Sequence, residues 1–253
     1  MTFDSEVTAD RFEDQVAGWS QSNTNPTAFD TTSPLAYIAT TNFGGGGSKS
    51  GHLGTQFGNT PDNSSTTVST NAGLLNFLGL GPAPMLSMNL AILDETGDRD
   101  NFPGRDAFSV ELRNSSAASL AEIKFVPTVG AASSWDIQVG VGGTETVSTN
   151  QTISALEGQR FQINFGNATT FSYGDSIGGV SDIPLLTLDG LGFGGVDFAS
   201  IDSIAMTHIP LADVGTSANT LAFDDIALSS VPEPSGVALL LLGSTFLMGR
   251  RRA

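Results

Sequence analysis

Apolar side chains fall at every second position in two separate stretches of this chain, at Phe108, Val110 and Leu112 and again at Phe161, Ile163 and Phe165. A period of two is the spacing of a β-strand with one face in a core and the other toward water. Comparable short runs, split by Gly, Asn, Asp, Ser and Pro, are read at 16–21, 35–41, 52–57, 85–93, 107–113, 121–126, 135–141, 160–165, 170–173, 203–208 and 221–228. Roughly ten to twelve such strands predict an all-β fold, a β-sandwich or jelly roll. The glycine run at 44–47 and the polar tract at 59–70 read as loops. The apolar stretch 74–80, followed by Pro82 and Pro84, reads as a short helix or a buried connection. No internal repeat and no linker divides the body, so residues 1–230 are expected to form one domain.

Composition supports this reading. Apolar residues make up 39 % of the 253, enough for a packed core, while only 14 % are charged, against roughly 25 % in an ordinary soluble protein. Of the 26 acidic and 10 basic residues, Glu233 and Arg250 to Arg252 lie at the C-terminal end. The remainder therefore carries a charge of about −18. Such a surface repels phosphate and excludes nucleic acid as a partner, whereas it attracts cations. Cysteine is absent. That removes thiol catalysis and thiolate metal sites, and it fits a bacterial envelope protein better than a small disulfide-dependent one.

The last two dozen residues form three ordered elements. Pro232, Glu233 and Pro234 come first; an apolar stretch follows, with Val237, Leu239, Leu240, Leu241, Leu242, Phe246 and Leu247; Arg250, Arg251 and Arg252 close it. As a helix the roughly 14 apolar residues would reach about 21 Å, short of the roughly 30 Å hydrocarbon core. With snorkelling arginines it just spans, and the positive-inside rule keeps those arginines cytoplasmic and the body outside. This arrangement, a short C-terminal hydrophobic helix between a proline motif and a basic stop, resembles the PEP-CTERM sorting signal of bacterial surface proteins. The resemblance covers residues 231–253 alone. It implies a substrate of exosortase, a membrane-embedded cysteine transpeptidase that recognises the Pro-Glu-Pro element. It also implies export, transient anchoring in the membrane, then transfer to the envelope or extracellular polymer. The two prolines suit that role by holding the motif extended. Residues 1–14 hold acids and no apolar run, so export implies a signal segment upstream of Met1.

Two further segments resemble the opening and closing strands of jelly-roll domains that precede such tails: the segment around Phe12 and Trp19, and residues 219–228. In related carbohydrate-binding jelly rolls an acid from each end helps to hold a structural calcium. By that resemblance Glu13 and Asp225, the latter alternating with the apolar Phe223, are candidate ligands. Hard carboxylate oxygens suit Ca²⁺. Independently, Asp94, Asp98 and Asp100 form an acidic cluster that lacks the EF-hand order. They are the second metal candidate, beside the reading as a solvated hairpin neutralised by Arg99 and Arg105. Calcium is the one cofactor expected.

Catalysis has little to work with. The two histidines, His52 and His208, each fall in a predicted strand with no acid or serine signature beside them, and neither G-x-S-x-G nor H-E-x-x-H occurs. The expectation is a non-enzyme. For sugar binding, Trp19 and Trp135 are read as core residues, while Tyr37 and above all Tyr173, placed on a loop before Gly174 and Asp175, are the available stacking platforms. The N-x-[ST] sequons at Asn63, Asn114, Asn150 and Asn167 are compositional in a bacterial chain. The leading expectation is an exported structural or adhesive protein of the cell surface or extracellular matrix. The alternative is a lectin-like carbohydrate-binding module in contact with extracellular polysaccharide.

Overall fold

The computed structural model describes residues 17–23, 36–39, 49–54, 65–71, 73, 80, 84–94, 105–131, 133–141, 146–155, 158–165, 169–175, 183–187, 197–210 and 219–230. Among them the fold is all-β. In chain order the strands are β1 (Trp19–Asn23), β2 (Ala36–Ala39), β3 (Ser50–Gly54), β4 (Thr66–Thr70), β5 (Pro84–Asp94), β6 (Ala107–Arg113) and β7 (Ser119–Pro127). They continue as β8 (Ser134–Val141), β9 (Val147–Ser154), β10 (Gln159–Phe165), β11 (Thr169–Asp175), β12 (Ile183–Thr187), β13 (Ser203–Ile209) and β14 (Asn219–Ser230).

The strands make two seven-stranded antiparallel sheets. One, the β6 sheet, runs β1-β4-β13-β6-β7-β8-β9; the other, the β14 sheet, runs β12-β11-β10-β5-β14-β3-β2. Alternation explains the layering. In β7 the burial pattern strictly alternates through Ala121, Ile123 and Phe125, and in β10 Phe161, Ile163 and Phe165 are buried. Side chains of both sheets meet in one apolar cluster between them, which makes the architecture a β-sandwich. Phe125 of β7 meets Phe161 of β10 edge to face at 5.4 Å, and Trp19 of β1 meets Phe223 of β14 at 5.8 Å. A fully buried Phe or Leu of this kind contributes about 1.5–3 kcal/mol.

Three sequence expectations change. The polar tract 59–70 ends in strand β4, and β9 and β12 are strands where none was expected. Tyr173 is not on a loop. It lies in β11, 8 % exposed, stacked on Phe161 at 5.9 Å, with its hydroxyl donating to Gln151 at 3.2 Å. Trp19 and Trp135 are core residues, as expected. The sorting motif Pro232 to Pro234, the apolar stretch after it and Arg250 to Arg252 lie outside the described residues. Among the described residues no helix is long and apolar enough to cross a membrane.

Candidate functional site: the polar face of the β14 sheet

Residues that alternate with the core side chains of the β14 sheet occupy its other face, and there the chemistry changes. Ser50 and His52 of β3, Asn89 of β5, Gln162 of β10 and Thr220 and Asp224 of β14 are all buried, none more than 5 % exposed. The register aligns them in rows. One row joins Tyr37, His52, Ala222 and Ala91; the next joins Asp224, Asn89 and Arg160; a third joins Ser87, Gln162 and Ser172. Directly paired residues share a face, so each row runs across several strands. Ala91 and Ala222, with Leu93, make a small apolar cluster between the polar groups.

Hydrogen bonds tie neighbouring groups of this face together. Ser50 Oγ and His52 Nε2 are 2.9 Å apart. Burial holds the His52 imidazole down to about 4, so it is neutral at pH 7. Asn89 Nδ2 donates to Asp225 Oδ2 at 2.9 Å. Strict alternation from Phe223 would send Asp225 into the core. A β-bulge prevents it: the register with β5 jumps between Asp224 and Ala227, and Asp225 takes φ +51°. One extra residue re-aims the strand, so Asp225 joins Asp224 on the polar face and Ile226 returns to the core, 2 % exposed. Aspartate tolerates the left-handed region better than most side chains.

The metal candidates separate. Glu13, Asp98 and Asp100 lie outside the described residues. Asp94 ends β5 opposite Asn219, while Asp225 lies at the bulge beside the middle of that strand and is engaged by Asn89. Among the described residues no group of three or more His, Asp or Glu side chains could hold a metal ion.

A second polar cluster closes one end of the sandwich, and it corrects the view that neither histidine has an acid beside it. His208 Nε2 lies 2.7 Å from Asp106 Oδ2, both side chains essentially inaccessible. The Asp106 backbone N–H donates to Asn219 Oδ1 at 3.2 Å, and its carbonyl accepts from Trp135 Nε1 at 2.9 Å. Arg105 lies over the Trp135 ring at 5.7 Å. His208 Nδ1 meets no hydrogen-bonding partner, so among the described residues no hydroxyl completes a Ser-His-Asp geometry with this pair. The cluster instead fastens β6, β8 and β13 to the head of β14. On the opposite, outward face of the β6 sheet, Arg113 pairs with both oxygens of Glu111 at 3.0 and 3.1 Å. Glu122 stands across from Glu111. Burial, and then the Glu111 charge, push the Glu122 carboxyl above its usual range.

No protein-family model matches this chain, and no curated protein does. Solved structures do share its fold. A GH131 β-glucanase catalytic domain from Podospora anserina is 10 % identical, with 91 % of this chain and 94 % of that one covered and a TM-score of 0.50. The carbohydrate recognition domain of Emp46p in its potassium-bound form is 9 % identical, with 89 % and 94 % covered and a TM-score of 0.49. At these identities the likeness is one of fold.

Proposed function

We propose that the body of this protein is a lectin-like carbohydrate-binding module displayed outside the cell, with the polar face of the β14 sheet as its binding surface. The observation that carries this reading is the row of polar side chains held in register on the face away from the core, where Arg160, Asp225, Ser87, Asn164 and Ser172 reach solvent beside the buried Asn89 and Gln162, with Asn89 bonded to Asp225. Sugar recognition needs fixed donors and acceptors matched to hydroxyls. Asn and Gln supply both, ionised Asp only accepts, and neutral His supplies one of each. Both described tryptophans are in the core, so recognition rests on hydrogen bonding. Tyr37, opposite His52 in the register, is the aromatic position nearest the site. The sandwich shared with a glucanase domain is compatible with this role.

Residues 231–253 are read, in the same proposal, as a PEP-CTERM-like tail. An exosortase-type enzyme would act at or near Pro232 to Pro234, and the product would end in the envelope or extracellular polymer. The structural or adhesive role remains the competing reading.

A glycan array probed with residues 1–230 tests the proposal. Saturable binding to a defined saccharide is expected, weakened at least tenfold by Asn89→Ala or Gln162→Ala in variants whose melting stays cooperative. Binding to no glycan would leave the structural role, and release of reducing ends from the bound polymer would replace binding by hydrolysis. Intact-mass analysis of the fractionated protein tests the tail: a C-terminus near Pro234 supports processing, whereas a chain retaining Arg250 to Arg252 does not.

A further inference from the structure

On the outward face of the β6 sheet, the register sets Glu111 of β6 directly opposite Glu122 of β7, both half-buried. Like charges so placed destabilise a sheet. Their immediate neighbours in the row bring no relief: Ala205 of β13 flanks Glu111 and Gly140 of β8 flanks Glu122. The two cations of this face stand in the rows on either side. Arg113 commits its guanidinium to Glu111, Nε to Oε2 at 3.1 Å and Nη2 to Oε1 at 3.0 Å. Lys124 stands two residues from Glu122 along β7, opposite Ser109 and Gln138. The other titratable group on β8, Asp136, lies opposite Val126 and accepts from the Thr128 hydroxyl at 2.8 Å. On the far side of β6, Ser203, Ala205 and Thr207 of β13 carry no charge.

We infer that Glu111 and Glu122 form a proton-dependent latch between β6 and β7, which tightens in mild acid. The Arg113 fork keeps Glu111 ionised, so the pair takes up its proton on Glu122. Each oxygen of the Glu111 carboxylate has a second lone pair, which can accept the Glu122 hydroxyl while Arg113 keeps its place. A charge-assisted hydrogen bond then replaces a repulsion. The Ser109 hydroxyl, 3.5 Å from Glu111 Oε1, also serves Glu122. Burial first, and the Glu111 charge second, raise the Glu122 carboxyl above its ordinary 4.5, against the smaller opposing effects of Lys124, Ser109 and Arg113. Between 4.5 and that raised value the folded chain holds a proton that the unfolded chain lacks. The latch therefore gains stability as pH falls through this window and loses it as pH rises. His52 runs the other way, losing stability as pH falls from 6.5 to about 4. One titration in each sheet thus opposes the other, and above pH 4.5 the latch offsets part of the weakening at His52.

The test compares thermal unfolding of the full chain with that of its Glu122→Gln variant at pH 7.5 and 4.5. Both chains keep His52, so its titration cancels at each pH. At pH 7.5 the variant should melt several degrees higher, because the amide removes the repulsion and can donate to Glu111. At pH 4.5 the gap should largely close, because the native chain then holds its proton. Titration of the Glu122 side-chain carboxyl, followed by carbon-13 NMR, gives a second readout. Glu111→Gln should bring its midpoint down, with burial still holding it above 4.5. A midpoint unmoved by Glu111→Gln would show burial acting alone and overturn the latch. A Glu122→Gln variant no more stable than the native chain at pH 7.5, or equally favoured at both pH values, would overturn it too.

Discussion

His52 is a weak point of the fold in acid. Its ring is 2 % exposed and its pKa is lowered by burial from 6.5 to about 4. Between those values the unfolded chain holds a proton that the folded chain does not, so stability rises with pH across the window and is lost as pH falls from about 6.5 to 4. The loss from this one group is on the order of 3 kcal/mol. Urea midpoints at pH 7.5 and 4.5 should therefore fall further for the native chain than for His52→Asn. Asp106 and His208 matter in another way. Removing either side chain leaves its partner polar and buried, a change that costs about 3–5 kcal/mol. Asp106→Ala and His208→Ala should each lower the denaturation midpoint sharply, and the double variant should cost clearly less than the two added together. This pair was not legible in the sequence, because its members are 102 residues apart; Asp106 reads as one more acid of the segment before β6 and His208 as an ordinary strand residue. The core was legible. Phe108, Phe125, Phe161 and Trp135 announce themselves by period and size, and all are fully buried.

At the scale of strands, what could be read depended on how apolar the inward face is. β6, β8 and β10 place Phe, Trp, Ile and Val toward the core, and the expected 107–113, 135–141 and 160–165 lie within a residue of the observed ends. β4 turns Thr66, Val68 and Thr70 inward, one apolar residue among three, so its polar sequence reads as loop. In β9 the bulge at Asn150, where φ is +58°, breaks the alternation, and mainly Thr149 and Ile153 are buried. The β14 bulge misleads in the same manner: it sits where Asp225 would otherwise belong to the core. Its demands are testable. Asp225→Gly keeps the left-handed backbone available and should leave stability within about 1 kcal/mol, whereas Asp225→Val, β-branched at positive φ, should cost about 1–3 kcal/mol in chemical denaturation. Both should lose the hydrogen bond that holds Asn89, and under the proposed carbohydrate-binding role both should weaken saccharide binding. Gly54, at the end of β3, is a stricter case. A Cβ there would come 2.3 Å from the Asn219 carbonyl oxygen and 2.8 Å from Thr220 Cα, both backbone atoms, at φ +149°. Gly54→Ala should destabilise by more than about 3 kcal/mol, seen as a large drop in melting temperature.

The whole molecule depends on one crossing. β14 lies between β5 and β3 in its sheet, and it pairs with β5 along nearly its full length, from Asn219 opposite Asp94 to Ser230 opposite Pro84. The sequence indicated that 221–228 is a strand but not which strands flank it, since register between distant segments leaves no local trace. A chain ending at residue 218 should fail to show cooperative unfolding by circular dichroism, whereas one ending at residue 230 should unfold in a single transition. The central position of β14 also governs the order of assembly. β3 and β5 have no common neighbour until residues 219–230 arrive, and those residues are about 125 to 170 positions away along the chain. Contacts of such separation are slow to form, so an emerging chain remains open through most of its synthesis. The two sheets cannot close on each other until the segment next to Pro232 has been made, so a ribosome-bound chain that lacks it should stay sensitive to protease along its whole length.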